Sequence, residues 1–286
     1  MSAVVPVPEP GAEEQPVEVS EGKASPCLAL VPRPQNRTLA QDLHQALERD
    51  EIVPHYQPIL RARTANVIGY EALARWTHEE RGPVWPDQFI PVAHEAGLIG
   101  KLGQSMLRLA CKWAATRPEL PSISVNVGAE HLASATFVDD VEAALNASGL
   151  PGARLRLELT EHTALVDEDA ALDSLRALAA QGVHVELDDF GTGYSAISLI
   201  TRLPLSTIKL DRSLIADFCD DPSRVRVVRS LVELGHGLGL SVTAEGIETE
   251  REWRAVVEQQ VDYVQGYYFG RPEACPPVPT TPCTEA

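Results

Sequence analysis

"RLRLELTEHTALVDEDAALDSLRALAAQGVHVELDDF", residues 154–190, decides the fold. An apolar strand candidate, "RLRLELTE" (154–161), leads into a helical stretch over 167–181. There Leu172, Leu175 and Leu178 recur at a spacing of three, and Gly182 ends the helix. The chain then returns to an apolar run, "HVELDDF" (184–190). Strand, helix, strand within 37 residues is the unit of a parallel sheet covered on its outer face.

The same alternation continues in both directions. Strand candidates are 53–60, 66–76, 122–128, 154–161, 184–190, 206–211, 241–247 and 262–270. Amphipathic helical stretches fall at 86–97, 99–116, 136–148, 167–181, 224–238 and 249–259. Eight strands alternating with helices in a body of this length fit an α/β fold of the TIM-like (β/α)8 barrel type better than an open sheet. Only a few residues separate the first two strands, too few for a crossover helix. One strand is therefore expected to run antiparallel to its neighbours. Residues 1–38, rich in Pro, Glu and Val without periodicity, read as a disordered leader, and 273–286 as a disordered Pro-rich tail. The body is 39–272.

A net charge of −17 argues against nucleic acid as a partner, since like charges would repel. A phosphate ligand would need local Arg, Lys or a metal cation to reverse the field. The five cysteines (Cys27, Cys111, Cys219, Cys275, Cys283) form no CxxC pair and read as free thiols in a reducing compartment. No run approaches the roughly 18 apolar residues of a membrane span, and the acidic start lacks a signal pattern. The chain reads as soluble and cytoplasmic.

Chemistry in such a barrel sits at the carboxyl ends of the strands. Those ends carry Glu71 and Arg75, Asn126, Glu158 and Glu161, Asp188 and Asp189, Lys209 and Asp211, Glu245 and Glu248, and Gln265. One carboxylate at a strand end is ordinarily a helix cap. Six or more, each embedded in an apolar strand and converging on one mouth, are not explained that way. Buried without partners they would pick up protons, and a divalent cation removes that penalty. Hard oxygen donors with one amide suit Mg²⁺ or Mn²⁺, and the absence of His and Cys pairs among them weighs against zinc. Adjacent Asp188 and Asp189 suggest a bridge between two ions, the arrangement used in phosphoryl transfer. On a separate strand, Glu245 is a candidate general base for the attacking water. Lys209 either holds that water or the developing charge, or forms a salt bridge with a neighbouring acid.

Taken together, "YQPI", "EALARW", "VNV", "LELTE", "DDFGTGYSA", "IKLD", "AEGIET" and "QGYYFGRP" resemble, in order and spacing, the EAL domain family, the cyclic di-GMP phosphodiesterases of bacteria. The resemblance spans about residues 39–272. It implies a TIM-like barrel with one reversed strand and hydrolysis of one phosphodiester of cyclic di-GMP to linear pGpG. By the same resemblance, Glu71, Asn126, Glu158 and Asp188 hold a first metal, and Asp189 joins Asp188 and Glu245 around a second. Lys209 touches the catalytic water, and Gln57, Leu73, Arg75 and Gln265 line the dinucleotide site. Glu161 anchors the loop after the Asp pair, and a homodimer is the implied assembly. The sequence departs from the pattern at Gly128, His94, Ala196 and Ile197, none of them an implied ligand or base. The competing reading is a catalytically silent cyclic di-GMP receptor acting through a protein partner; silent members lose a ligand, the base or the Asp-pair loop, and this chain keeps them all.

Overall fold

The computed structural model describes residues 38–164, 168–191 and 200–276, with the side chains of 162, 164, 168 and 169 excepted. Residues 1–37 of the expected leader and all but the first residues of the expected tail lie outside the described residues, as do Ala196 and Ile197, whereas Thr38, expected in the leader, caps the first helix.

The fold begins with a helix, α1 (Leu39–Glu48), started by a reciprocal cap in which Thr38 and Gln41 each satisfy the other's backbone N–H. Two long strands follow, β1 (Ile52–Arg61) and β2 (Val67–His78), paired antiparallel from Ile52↔Trp76 to Leu60↔Val67. A short strand, β3 (Gly82–Val84), turns back onto the end of β2. The barrel then alternates through α2 (Pro86–Glu95), α3 (Ile99–Ala115), β4 (Ile123–Asn126), α4 (Ala129–Leu132), α5 (Phe137–Ser148) and β5 (Leu155–Thr160). It continues with α6 (Glu161–Ala164), α7 (Glu168–Ala180), β6 (His184–Phe190), β7 (Thr207–Leu210) and α8 (Arg212–Ile215). The last turn is α9 (Pro222–Gly237), β8 (Ser241–Ala244), α10 (Glu250–Glu258) and β9 (Tyr263–Val264).

β2, β4, β5, β6, β7, β8 and β9 pair parallel in that order, and β1 closes the ring by pairing antiparallel with both β9 and β2. The result is a closed eight-stranded TIM-like barrel with one reversed strand, plus β3 as an extra strand on β2. The reversal follows from the tight β1–β2 connection, which can make a hairpin but not a right-handed crossover.

Two differences from the sequence expectation have physical reasons. The α1 helix and β3 were not foreseen; β3 is three residues long and contains Gly82 and Pro83, which read as turn. The expected strand over 262–270 shrinks to Tyr263–Val264, because Gly266 lies so close to the backbone of Ile247 that the chain folds away there. Backbone N–H groups of Phe269 and Gly270 then both donate to the carbonyl of Gly266, closing a turn.

Strand periodicity of two sorts the side chains. Leu155, Leu157 and Leu159 of β5, with Val185 and Leu187 of β6, face outward and are fully buried in the core against the helices, among them Leu175 and Leu178 of α7. Their alternates, Glu158 and Glu186, are buried too, so they turn inward. Ser124, Thr207, Lys209 and Thr243 are likewise buried polar residues of the barrel strands. Such an interior is polar where barrels of this class are usually packed with branched apolar side chains. Glu186 is neutralised low in the barrel by Arg156, whose Nη1 lies 2.5 Å from its Oε1. No helix among the described residues is long and apolar enough to cross a membrane.

Candidate active site

One cation organises the mouth of the barrel. Lys209, on β7 and 1 % exposed, points Nζ at Glu245 Oε1 (2.6 Å), Glu158 Oε2 (2.7 Å), Asp188 Oδ1 (3.3 Å) and Glu71 Oε2 (3.8 Å). These carboxylates come from β2, β5, β6 and the residue just after β8, each delivered by the inward phase of its strand. Burial opposes the charge on Lys209, but Asp188, Glu158, Glu245 and Glu71 outweigh it and push its pKa well above the ordinary lysine value.

One lysine cannot neutralise them all. Burial, with repulsion from Glu71 adding most to it, drives Glu158 well above the usual carboxylate range. Burial raises Asp188 as well, and it raises Asp189 with Asp188 adding to the effect. Glu245 is pushed up to about 8, chiefly by burial, with Lys209 pulling against it. Glu71 goes the other way. Burial would raise it, yet Lys209 and hydrogen bonds from Gln265 and Asn126 hold it below the usual range.

The amides are placed to support Glu71. Asn126 Nδ2 donates to its Oε1 at 2.7 Å and Gln265 Nε2 to its Oε2 at 2.6 Å. Gln265 Nε2 also reaches Gln57 Oε1 at 3.2 Å, and Gln57 Nε2 donates to the carbonyl of Gly270 at 3.1 Å. Reversed β1 thus meets β9 through a glutamine pair. Asp189 sits within β6 where its pairing with β7 is interrupted between Leu187 and Phe190, at φ +54°, with its N–H bonded to Asp188 Oδ1 at 3.0 Å. Gly191 follows at φ +99°, where a Cβ would come within 2.7 Å of Leu214, so the turn needs glycine at this position. Buried Glu161 accepts the Gly191 N–H at 3.2 Å and so ties α6 to the end of the Asp-pair strand.

The residues fit divalent cations. A carboxylate oxygen from each of Asp188, Asp189 and Glu245 can be chosen so that all three lie within 4.8 Å of one another. Glu158 Oε1 and Gln265 Oε1 are buried with no hydrogen-bond partner, oxygens that a cation or its waters would satisfy. The donor set is all hard oxygen.

A cleft of about 290 Å³ opens from this cluster, lined by Gln57, Glu71, Leu73, Asp188, Glu245 and Gln265 together with Arg212, Gly246, Glu248, Gly266 and Tyr267. Sequence-chosen Leu73 is therefore on the wall. Arg75 is half-buried and bonds the carbonyl of Ala74 at 2.8 Å, outside that lining. His94 is exposed and faces Glu130 at 2.8 Å, a surface contact away from the cluster. Arg212, Gly246 and Tyr267 are cleft residues that sequence reasoning missed. Their only sequence signal is position, directly after "IKLD", Glu245 and "QG". Asp211 is turned to capping α8, accepting from the Ser213 N–H at 2.8 Å.

A closed barrel with one reversed strand and an acidic mouth is the architecture of EAL domains, and the family model described as "EAL domain" matches residues 40–272. The chain belongs to the EAL domain family. It is 41% identical over 238 residues to the bifunctional diguanylate cyclase/cyclic di-GMP phosphodiesterase MucR of Pseudomonas aeruginosa, a match covering 82% of this chain and 35% of MucR. It is 37% identical over 247 residues to the cyclic di-GMP phosphodiesterase NbdA of the same species, covering 85% of this chain and 32% of NbdA. The chain thus spans about a third of the length of these relatives. Among solved structures, a MucR phosphodiesterase in complex with cyclic di-GMP superposes with a TM-score of 0.76 at 41% identity, over 82% of this chain and 96% of that one.

Proposed function

We propose that the chain hydrolyses cyclic di-GMP to linear 5′-pGpG. The observation that carries this reading is the Lys209-centred ring of four carboxylates, Glu71, Glu158 and Asp188 buried and Glu245 half-buried, beside the Asp188–Asp189–Glu245 triangle at the foot of a cleft. Phosphodiesterase relatives at 37–41% identity support it.

Water supplies the nucleophile. Its oxygen bonds to phosphorus, the P–O3′ bond breaks, and the products are a 3′-hydroxyl and a 5′-phosphate on one linear dinucleotide. Glu245, beside the Asp188–Asp189 pair and just after a separate strand, β8, would take the water's proton. Lys209, held within 2.6 Å of Glu245, positions that carboxylate and offers positive charge where negative charge develops. Glu71, Asn126, Glu158 and Asp188 would hold one divalent ion, Mg²⁺ or Mn²⁺, and Asp188, Asp189 and Glu245 a second. When bound, these ions supply Lewis-acid activation of the phosphate and acidify the water. Gln57, Leu73, Arg75 and Gln265 bind the dinucleotide, and Glu161 keeps the Asp pair in place through Gly191.

Purified protein with Mn²⁺ is expected to convert cyclic di-GMP to pGpG. Tight binding without turnover would replace this reading with the silent receptor.

A further inference from the structure

Inside the barrel, beneath the carboxylate ring, lie a further acid and a further cation that the proposed chemistry does not use. Glu186 is the register partner of Glu158 across β5 and β6, and its side chain is 4 % exposed. Lys209 meets Glu71, Glu158, Asp188 and Glu245, whereas the cation beside Glu186 is Arg156, two residues before Glu158 on β5. Arg156 Nη1 donates to Glu186 Oε1 at 2.5 Å, and Ser124 Oγ donates to Glu186 Oε2 at 3.4 Å. The Arg156 side chain is 17 % exposed and its Nε is buried with no hydrogen-bond partner, so the guanidinium depends on Glu186 for its anchorage. A pair this deep is a poor source of stability, because desolvating two ions offsets most of their attraction. Apolar branched side chains ordinarily fill this layer of a barrel.

We infer that Glu186 is a positioning residue for the first metal: it holds the Arg156 guanidinium off Glu158, so that Glu158 stays free to take the ion. The inference rests on the metal site proposed above. Arg156 and Glu158 are successive inward residues of one strand, about 6–7 Å apart along it and well within an arginine's reach. Arginine keeps its charge under all conditions in which the protein is folded, and its fork matches a carboxylate. Yet Glu158 Oε2 is bonded to Lys209, and Glu158 Oε1 is buried with no hydrogen-bond partner, an oxygen that the nearby guanidinium leaves alone. What keeps it away is the short bond to Glu186 on the next strand. Without Glu186 the guanidinium would turn to Glu158 and set a positive charge under the seat of the ion. The restraint runs both ways. Glu186 is one of the like charges that repel Glu158, and Arg156 offsets that repulsion. Groups that hold metal ligands from behind govern affinity in this manner.

The test is Mn²⁺ binding to the full chain by titration calorimetry, with thermal melts in chelator to show that each variant is folded. Wild type, Glu186→Gln, Arg156→Met and the double variant are compared. Glu186→Gln strands the arginine beneath Glu158 and should weaken Mn²⁺ binding by about 10- to 100-fold, the usual cost of losing a partner behind a ligand. Arg156→Met removes the competitor and should bind Mn²⁺ at least as tightly as wild type. The double variant should return close to the wild-type affinity, although both members of the pair are gone. A pair that merely packs the barrel predicts another order, with Mn²⁺ binding weakened in Arg156→Met and weakest in the double variant. Either of those results overturns the inference, as does an unchanged affinity in Glu186→Gln. If Glu186→Gln does not fold, Arg156→Met and the double variant still decide between the two orders. Mn²⁺ uptake by the wild type without hydrolysis would sink the enzyme reading and leave this inference standing. Absence of any Mn²⁺ uptake by the wild type would overturn both.

Discussion

Replacing Lys209 by Met keeps the length of the side chain and removes the one charge that three buried carboxylates and half-buried Glu245 share. Two of the contacts are direct, at 2.6 Å to Glu245 and 2.7 Å to Glu158, and a third lies at 3.3 Å to Asp188. Removing one partner of a buried ion pair costs about 3–5 kcal/mol, because the other charge stays behind uncompensated. For a domain of this size each kcal/mol moves Tm by about 2–4 °C, so the variant should melt roughly 6–20 °C below wild type in chelator at pH 7.5. The carboxylates respond by taking up protons, so the gap should narrow as the pH is lowered toward 5. Mn²⁺ should narrow it at pH 7.5 as well, by returning positive charge to the same oxygens. Thermal melts followed by circular dichroism, in chelator and in Mn²⁺ at both pH values, measure all of this. A chelated variant that melts within about 2 °C of wild type, under 1 kcal/mol, would refute the claim that Lys209 compensates the charge of these carboxylates.

Metal-free stability should depend on pH with a definite sign. Glu245 rises from an ordinary 4.5 to about 8 on folding, so between those values the folded chain holds more protons and stability falls as pH climbs. Asp188, Asp189 and Glu158 shift in the same direction, and Glu245→Gln should make the slope measured in chelator shallower. The same variant should lower kcat by about 10²- to 10⁴-fold while still binding cyclic di-GMP, a split that single-turnover kinetics and calorimetry would resolve. Glu161→Ala leaves the Gly191 N–H without its acceptor, about 1–3 kcal/mol of local penalty, and should reduce turnover through the Asp-pair loop more than it lowers Tm. Gly266→Ala would set a Cβ 2.1 Å from the Ile247 carbonyl oxygen, so soluble yield or Tm should drop sharply; a wild-type melt would contradict the close approach.

The barrel was legible because its strands and helices differ in period. "LRLELT" and "HVELDDF" announce strands, and the leucine spacing of 168–180 announces the helix between them. The reversed strand was legible from a loop too short to cross over. Short pieces were not: β3 and the one-turn helices α4, α6 and α8 are held by neighbours rather than by their own pattern. Of the candidate site, the acidic strand ends could be read as one mouth once the barrel was assumed. Their electrostatics could not. No spacing shows that Lys209 meets four carboxylates, or that Glu71 is held ionised by Gln265, 194 positions away, while Glu158 is not. Arg212 and Glu248 meet only because α8 and the loop after β8, which follow adjacent strands, come together at the rim.

The central claim is that this acidic mouth is a metal-dependent phosphodiesterase centre. Its most direct test is to follow cyclic di-GMP by chromatography with the full chain in Mn²⁺, with and without excess chelator. The account predicts that pGpG accumulates in Mn²⁺ and stops accumulating when the metal is withdrawn. Cyclic di-GMP that binds yet stays intact in Mn²⁺, with Lys209 and all five carboxylates present, would contradict it.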